Sequence, residues 1–222
     1  MIETPDLAVE AESASITQEP TDIVAAPARF VHPERIVACY DGAITLDIAR
    51  DLQCSDRVQQ QLTILLMDHF ELSALPDLTH LDEADLALMT ASFEQIGDLV
   101  SLAGAVFWSH VFASEIRTSE VAAMKRRFGE TIFQTAIAHR DLAGNLPGPD
   151  DLAALEALMA SDGLRCIASW HEALPARIGA WARLRHASDS LPSPDTAHGK
   201  YGPAIIRRLA ADLPRLHKDG AQ

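Results

Sequence analysis

The chain has 222 residues, 48% of them hydrophobic, a formal net charge of −14 and a sequence pI near 4.9. That length and apolar content predict one globular domain with tails. The acidity argues against a bare phosphate backbone or an anionic membrane as partner. The charge is uneven: residues 1–28 carry six acids and no base, residues 29–162 sum to −12, and residues 163–222 sum to +4. A basic C-terminal third on an acidic body points to an acidic partner or to internal pairing.

Residues 1–28 contain Pro5, Pro20 and Pro27 and no apolar period, which predicts a disordered acidic tail. Order is expected from Phe30, with His32-Pro33-Glu34 opening a short helix that ends at Asp41-Gly42. Ile44–Leu52 reads as a second short helix. Ser55 caps a third that runs to about Phe70, with Leu62, Leu65 and Leu66 on its apolar face. Pro76 interrupts, and Asp82 starts a helix whose first turn carries Glu83 and Asp85.

The longest apolar stretch is Ser92–Ile116. Phe93, Ile96, Val100, Ala103, Phe107 and Val111 share a face, widened by Leu99, Leu102, Val106 and Phe112. Ser92 with Gln95 is a capping-box start. Gly97 and Gly104 are expected to admit a neighbouring helix, although each costs roughly 1 kcal/mol against Ala. The uncharged run Leu99–Ser114 is shorter than the roughly 20 residues of a membrane span.

Thr118–Phe128 and Ile132–Ile137 read as helices separated by Gly129. Asn145–Pro149 is a loop, Asp150 caps a helix over Leu152–Ala160, and Gly163 is read as its end. Leu164–Trp170 is the next helix. Pro175 opens another, carrying Ile178, Trp181 and Leu184, with Arg177, Arg183 and Arg185 on its other side. Residues 189–202 read as a polar linker, and Pro203 opens a last helix within 203–222. No β-alternation or repeat is found, so the expected fold is all-α: a single bundle-like domain over 29–188.

Chemistry-bearing motifs are sparse. The sequence has no HxxH, HExxH, CxxC, GxSxG, Walker loop or GxGxxG. Cys39, Cys54 and Cys166 are an odd count, read as free thiols of a reducing cytoplasm. His171 and Glu172 follow Cys166 too loosely for a ligand set. His110 is a candidate proton carrier, weighed against a core histidine. Asp82, Glu83 and Asp85 are better placed to cap a helix than to act as an acid–base pair. Trp170 and Trp181 are read as core rather than interface. Residues 118–142 outline a helix–turn–helix, whose second helix offers Gln134, His139 and Arg140 beside Glu130 and Asp141. No cofactor, metal or catalytic residue is assigned.

The order of segments resembles a known family. Phe30–Ile36 (FVHPERI) looks like the Pro-bearing first segment of the K proteins of bacterial type III secretion systems, the YscK/SctK group that includes NolU. IGDLVSLAGAVFWSHVFASEI, followed by SEVAAMKRRFGETIFQTAIAHRDL, is similar to that family's core. LRCIASW, then Leu174-Pro175 and Arg183-Leu184-Arg185, resembles its closing segment. The likeness spans Phe30 to His186. It implies a non-enzymatic cytoplasmic adaptor of the sorting platform, peripheral to the inner membrane through protein partners and without membrane insertion. The implied partners are the C-ring-like Q protein, the cytoplasmic domain of the inner-membrane ring protein and the stator protein. Nucleic acid is not among them. Arg177, Arg183 and Arg185, the first and last eight positions apart, are the candidate interaction face. The alternatives are a helical DNA-binding regulator using residues 118–142 and a small-molecule enzyme with a site near His110.

Overall fold

The structure is a computed structural model that describes residues 20–144, 146–187 and 191–212. Those residues form an all-α fold without strands. Its α-helices are α1 (Pro20–Ala25), α2 (Pro33–Cys39), α3 (Leu46–Cys54), α4 (Gln59–His69), α5 (Glu83–Thr90) and α6 (Phe93–Phe107). They continue as α7 (Ser109–Ser114), α8 (Thr118–Phe128), α9 (Glu130–Ala138), α10 (Leu152–Ala173), α11 (Ala176–Arg183) and α12 (Thr196–Ala210).

Helix α6 is the centre, as its apolar circumference requires. Leu99, Ala103, Ala105, Val106 and Phe107 are fully buried. Its start is the full capping box: the Gln95 N–H donates to Ser92 Oγ at 3.2 Å, and the Ser92 N–H donates to Gln95 Oε1 at 2.7 Å. The expected single helix to Ile116 breaks at Trp108, because the Phe107 carbonyl leaves the ladder to accept the Gly144 N–H at 2.8 Å. Phe93, placed inward by spacing, stands 41% exposed with its ring edge-on to His32, and Ile116 is 89% exposed.

Helices α10 and α12 cover α6. Gly104 faces α10 so closely that a Cβ there would sit 2.7 Å from the Met159 carbonyl carbon and 2.9 Å from its Cα. Reciprocally, a Cβ on Gly163 would sit 2.9 Å from the Val100 carbonyl carbon. Gly163 therefore does not end a helix; it lies mid-way along the 22 residues of α10, at the crossing point. Gly97, by contrast, meets nothing within 4 Å. Gly129 separates α8 from α9 at φ 91° and ψ 155°, outside the left-handed helical basin yet still in glycine's domain.

A second, smaller core joins α2, α3 and α4 to α11 through Ile36, Ala49, Leu62, Leu66, Trp181 and Leu184. Two boundaries differ from expectation. The predicted tail 1–28 lies outside the described residues over 1–19. Its remainder folds as α1 and a 3-10 turn, with Ile23 and Ala28 buried. The predicted linker 189–202 is helical from Thr196, because Asp195 Oδ1 accepts the N–H groups of both Ala197 and His198. Pro203 is inside α12, not at its start. Residues 213–222 and 188–190 lie outside the described residues.

Candidate functional site

The three arginines do not form one face. Residues eight apart share a face only on a continuous helix, and α11 ends at Arg183. Arg177 is exposed. Arg183 is exposed too, with its guanidinium 3.9 Å from Glu172 Oε1. Arg185 is turned inward and 5% exposed, its guanidinium donating to the carbonyls of Leu88 and Ala91. It caps the C-terminal end of α5, where carbonyls lack helical partners and positive charge is favoured. Burial lowers its pKa to about 10, which leaves it charged at neutral pH.

Two buried carboxylates hold the helices together. Asp85 is 4% exposed; it accepts Trp170 Nε1–H at 2.8 Å and a fork from Arg207 at 2.8 and 2.9 Å. Asp82 is the N-cap of α5 as expected, its side chain accepting the Asp85 N–H at 2.8 Å. Asp162 on α10 accepts Trp108 Nε1–H at 2.8 Å and Arg165 Nη1–H at 2.6 Å. His198 of α12 is fully buried and stacked on Phe107; its Nδ1 lies 2.7 Å from Asp195 and its Nε2 3.2 Å from Asp162. Burial alone would lower the His198 pKa, but the two carboxylates prevail and raise it. Burial opposes the Asp162 charge, yet its hydrogen bonds hold its pKa below the usual value.

Trp170 and Trp181 are buried, as expected for core residues, and so is Trp108; each ring N–H is bonded, that of Trp181 to the Ser73 carbonyl. Among the cysteines Cys166 is buried and Cys39 half-buried, whereas Cys54 is exposed. Burial pushes the Cys166 thiol pKa far up, so it is inert at neutral pH.

The remaining candidates are histidines. His110 lies beside Trp108 at 5.6 Å between ring centroids. His32, His171 and His186 cluster where α2 meets the ends of α10 and α11. The rings of His171 and His186 are 5.1 Å apart. Burial, then the charges of Arg185, His32 and Arg35, lowers His186 to about 4. Burial, then His186 and nearby arginines, lowers His171 well below its ordinary value. Both rings are neutral at pH 7. Among the described residues no three His, Cys, Asp or Glu side chains are grouped to hold a metal ion.

An open trough runs along the C-terminal end of α10. One lobe, about 290 Å³, is bounded by Leu174, Gly179 and Ala180; the other, about 240 Å³, by Ala168 and residues 191–194. His171, Glu172 and Arg183 line both. His171 is 2% exposed, and neither ring nitrogen has a hydrogen-bond partner among the described residues. Sequence reasoning noted His171 and Glu172 only as a weak pair, because Arg183 and the Leu191–Pro194 wall join them through the fold.

On the helix–turn–helix outline, Phe133 and Ala136 of α9 are buried against the core. Lys125 bonds Glu130 at 2.9 Å, and Arg127 pairs with Glu156. Two of the basic groups a DNA reader would offer are thus engaged by carboxylates of the same chain. No helix among the described residues is long and apolar enough to cross a membrane. Comparison with known protein families, curated proteins and solved structures finds no match.

Proposed function

We propose that this protein is a non-enzymatic cytoplasmic adaptor of a bacterial type III secretion sorting platform. It would join the cytoplasmic domain of the inner-membrane ring protein to the C-ring-like Q protein, and through it the stator. The observation that carries this reading is the meeting of the resembling segments in space. The first segment is bonded directly to the last: the His32 N–H donates to the Leu184 carbonyl at 2.8 Å, and Arg35 donates to the carbonyls of His186 at 3.0 Å and Ala187 at 3.2 Å. The central resembling run supplies α6, packed under α10, and α7, packed against α9. Segments whose order resembles one family are thus one folded unit in this chain.

Binding rather than catalysis is supported by how the polar side chains are used. Asp85, Asp162 and Arg185 are committed to holding helices in place, while Arg177 and Arg183 of α11 face outward. Arg177 and Arg183 supply the positive rim for an acidic partner surface, which acts mainly on association rate and salt dependence. The test is capture of purified Q protein and of the ring protein's cytoplasmic domain by the full chain and by an Arg177→Glu/Arg183→Glu variant. Arg185 stays unchanged because it is internal. Capture by the parent that weakens in the double variant, with helicity retained by circular dichroism, is the expected result. Failure of the parent to bind either protein overturns the adaptor reading.

A further inference from the structure

Both ring nitrogens of His198 face carboxylates: Asp195 Oδ1 lies 2.7 Å from Nδ1, and Asp162 Oδ1 lies 3.2 Å from Nε2. An ionised carboxylate only accepts, and a neutral imidazole has one N–H to give, so the ring satisfies both partners only in its charged form. Asp195 is the N-cap of α12, whereas Asp162 belongs to α10 and is also held by Arg165. Helix α10 further brings the Cys166 thiol close to the two carboxylates, and α6 brings the uncharged Phe107, stacked on the ring at 4.4 Å, and Trp108. Other charges around α12 are engaged farther along it: Lys200 over the Tyr201 ring, Arg207 with Asp85 of α5, and Asp212 3.5 Å from His139.

The two halves of α12 are held differently. Over 196–202 only His198 and Gly202 are buried. Over 203–210 Ile205, Ile206, Leu209 and Ala210 are buried, and Arg207 forks onto Asp85. Gly199 and Gly202 are poor helix formers, and Pro203 has no N–H for the Gly199 carbonyl four residues back. The helical ladder is thus weakest where the two halves meet.

We propose that residues 196–202 are a proton-operated latch, which lies shut on α6 and α10 while His198 is charged and uncoils at Pro203 when His198 gives up its proton. Deprotonation leaves one carboxylate facing a ring lone pair, and His198 is the one buried side chain of this half. Opening uncovers Cys166, against which Gly202 packs so closely that a Cβ there would stand 3.0 Å from the Cys166 Cα. The proposal holds whatever proteins the chain binds, so it stands apart from the adaptor reading.

The test uses the full chain and follows amide hydrogen exchange by mass spectrometry from about pH 6 to about pH 9, as protection corrected for the intrinsic rate at each pH. The open segment releases the His198 proton near the ordinary 6.5, and the shut segment holds it to higher pH. Protection over 196–202 should therefore be greatest below pH 6.5, fall by about tenfold per pH unit as His198 titrates, and then level off. Residues 204–210 and α10 should stay protected. Alkylation of Cys166, measured against exposed Cys54 in the same molecules, should rise over the same range. Asp195→Asn keeps a good N-cap but removes one of the two charges, so it should move the fall to lower pH. His198→Gln should leave 196–202 poorly protected at every pH. The proposal is overturned if protection over 196–202 is flat across the range in the parent, if α10 loses protection in step with it, or if Asp195→Asn leaves the fall where it was.

Discussion

Replacing Gly104 by Ala tests the central crossing directly. The new Cβ would overlap the backbone of Met159, with its carbonyl carbon at 2.7 Å and its Cα at 2.9 Å. Ordinary contact for such atoms is about 3.5–4.0 Å. Neither side of the clash is a side chain that can rotate away, so α6 and α10 must separate by several tenths of an ångström or more. That separation loosens Leu99, Val106, Phe107, Leu155 and Ile167, all of which are at most 1% exposed. Overpacking a core costs typically 1–3 kcal/mol, and a backbone clash belongs at the upper end. The gain in helix propensity from Gly to Ala returns about 1 kcal/mol. The net expectation is a loss of about 2 kcal/mol, or roughly 4–8 °C in thermal midpoint for a domain of this size. Gly97→Ala supplies the control. It lies on the same helix with nothing within 4 Å of its Cβ, so it collects the propensity gain alone and should stabilise by ~0.5–1 kcal/mol. Urea titrations of both variants beside the parent measure the difference. If Gly104→Ala is as stable as Gly97→Ala, the two helices do not cross at backbone contact and the packing argument fails.

Arg185→Met leaves the carbonyls of Leu88 and Ala91 without their donor and should cost about 2–3 kcal/mol, whereas Arg177→Met should stay within about 0.5 kcal/mol; paired urea midpoints check both. Asp85→Ala strands the Trp170 N–H and the half-buried Arg207 and should cost about 3 kcal/mol, with Asp85→Asn intermediate because it keeps an acceptor for Trp170. Stability should also fall on the acid side. The unfolded chain protonates His186 near its ordinary 6.5, the folded chain only near 4, so stability present above pH 6.5 is lost as the pH falls toward 4, by on the order of 3 kcal/mol. His171 acts in the same direction, so His186→Phe should flatten that limb of the pH–stability curve in part; an unchanged limb would show that His186 is not the group responsible. His198, with its pKa raised, works oppositely: its contribution is present below pH 6.5 and is lost as the pH rises through its folded value.

What could be read from the sequence is what depends on neighbours along the chain. The capping box at Ser92, the N-caps at His32 and Asp82, and the apolar girth of α6 are set by residues within a few positions, and the structure has all of them. Gly163 was misread because a glycine's local effect is to stop a helix. Its actual use, close approach to Val100, belongs to another helix. The opening of α12 was hidden in the same way: Pro203 reads as a start, while the effective signal was Asp195 ahead of Thr196-Ala197-His198. Asp85 and Arg185 look like exposed helix-end charges in one dimension, yet their partners lie 85 and 97 residues away. The burial of Asp85 could have been suspected from Trp170, an indole that needs an acceptor once it enters a core. The trough was beyond reach because its shared lining joins α10 to α11 and, through one lobe, to the segment before α12.

The bonds that tie Arg35 to His186 and Ala187 span 151 and 152 residues of chain. During synthesis from the N-terminus, α2 leaves the ribosome with its anchors still untranslated, and α6 follows long before α10 and α12 exist to cover it. A nascent chain at that stage carries a helix apolar around most of its girth with nothing to lie against. The body therefore closes only once α12 has been made, and truncations within α12 should be held by chaperones or degraded rather than accumulate as partly functional fragments.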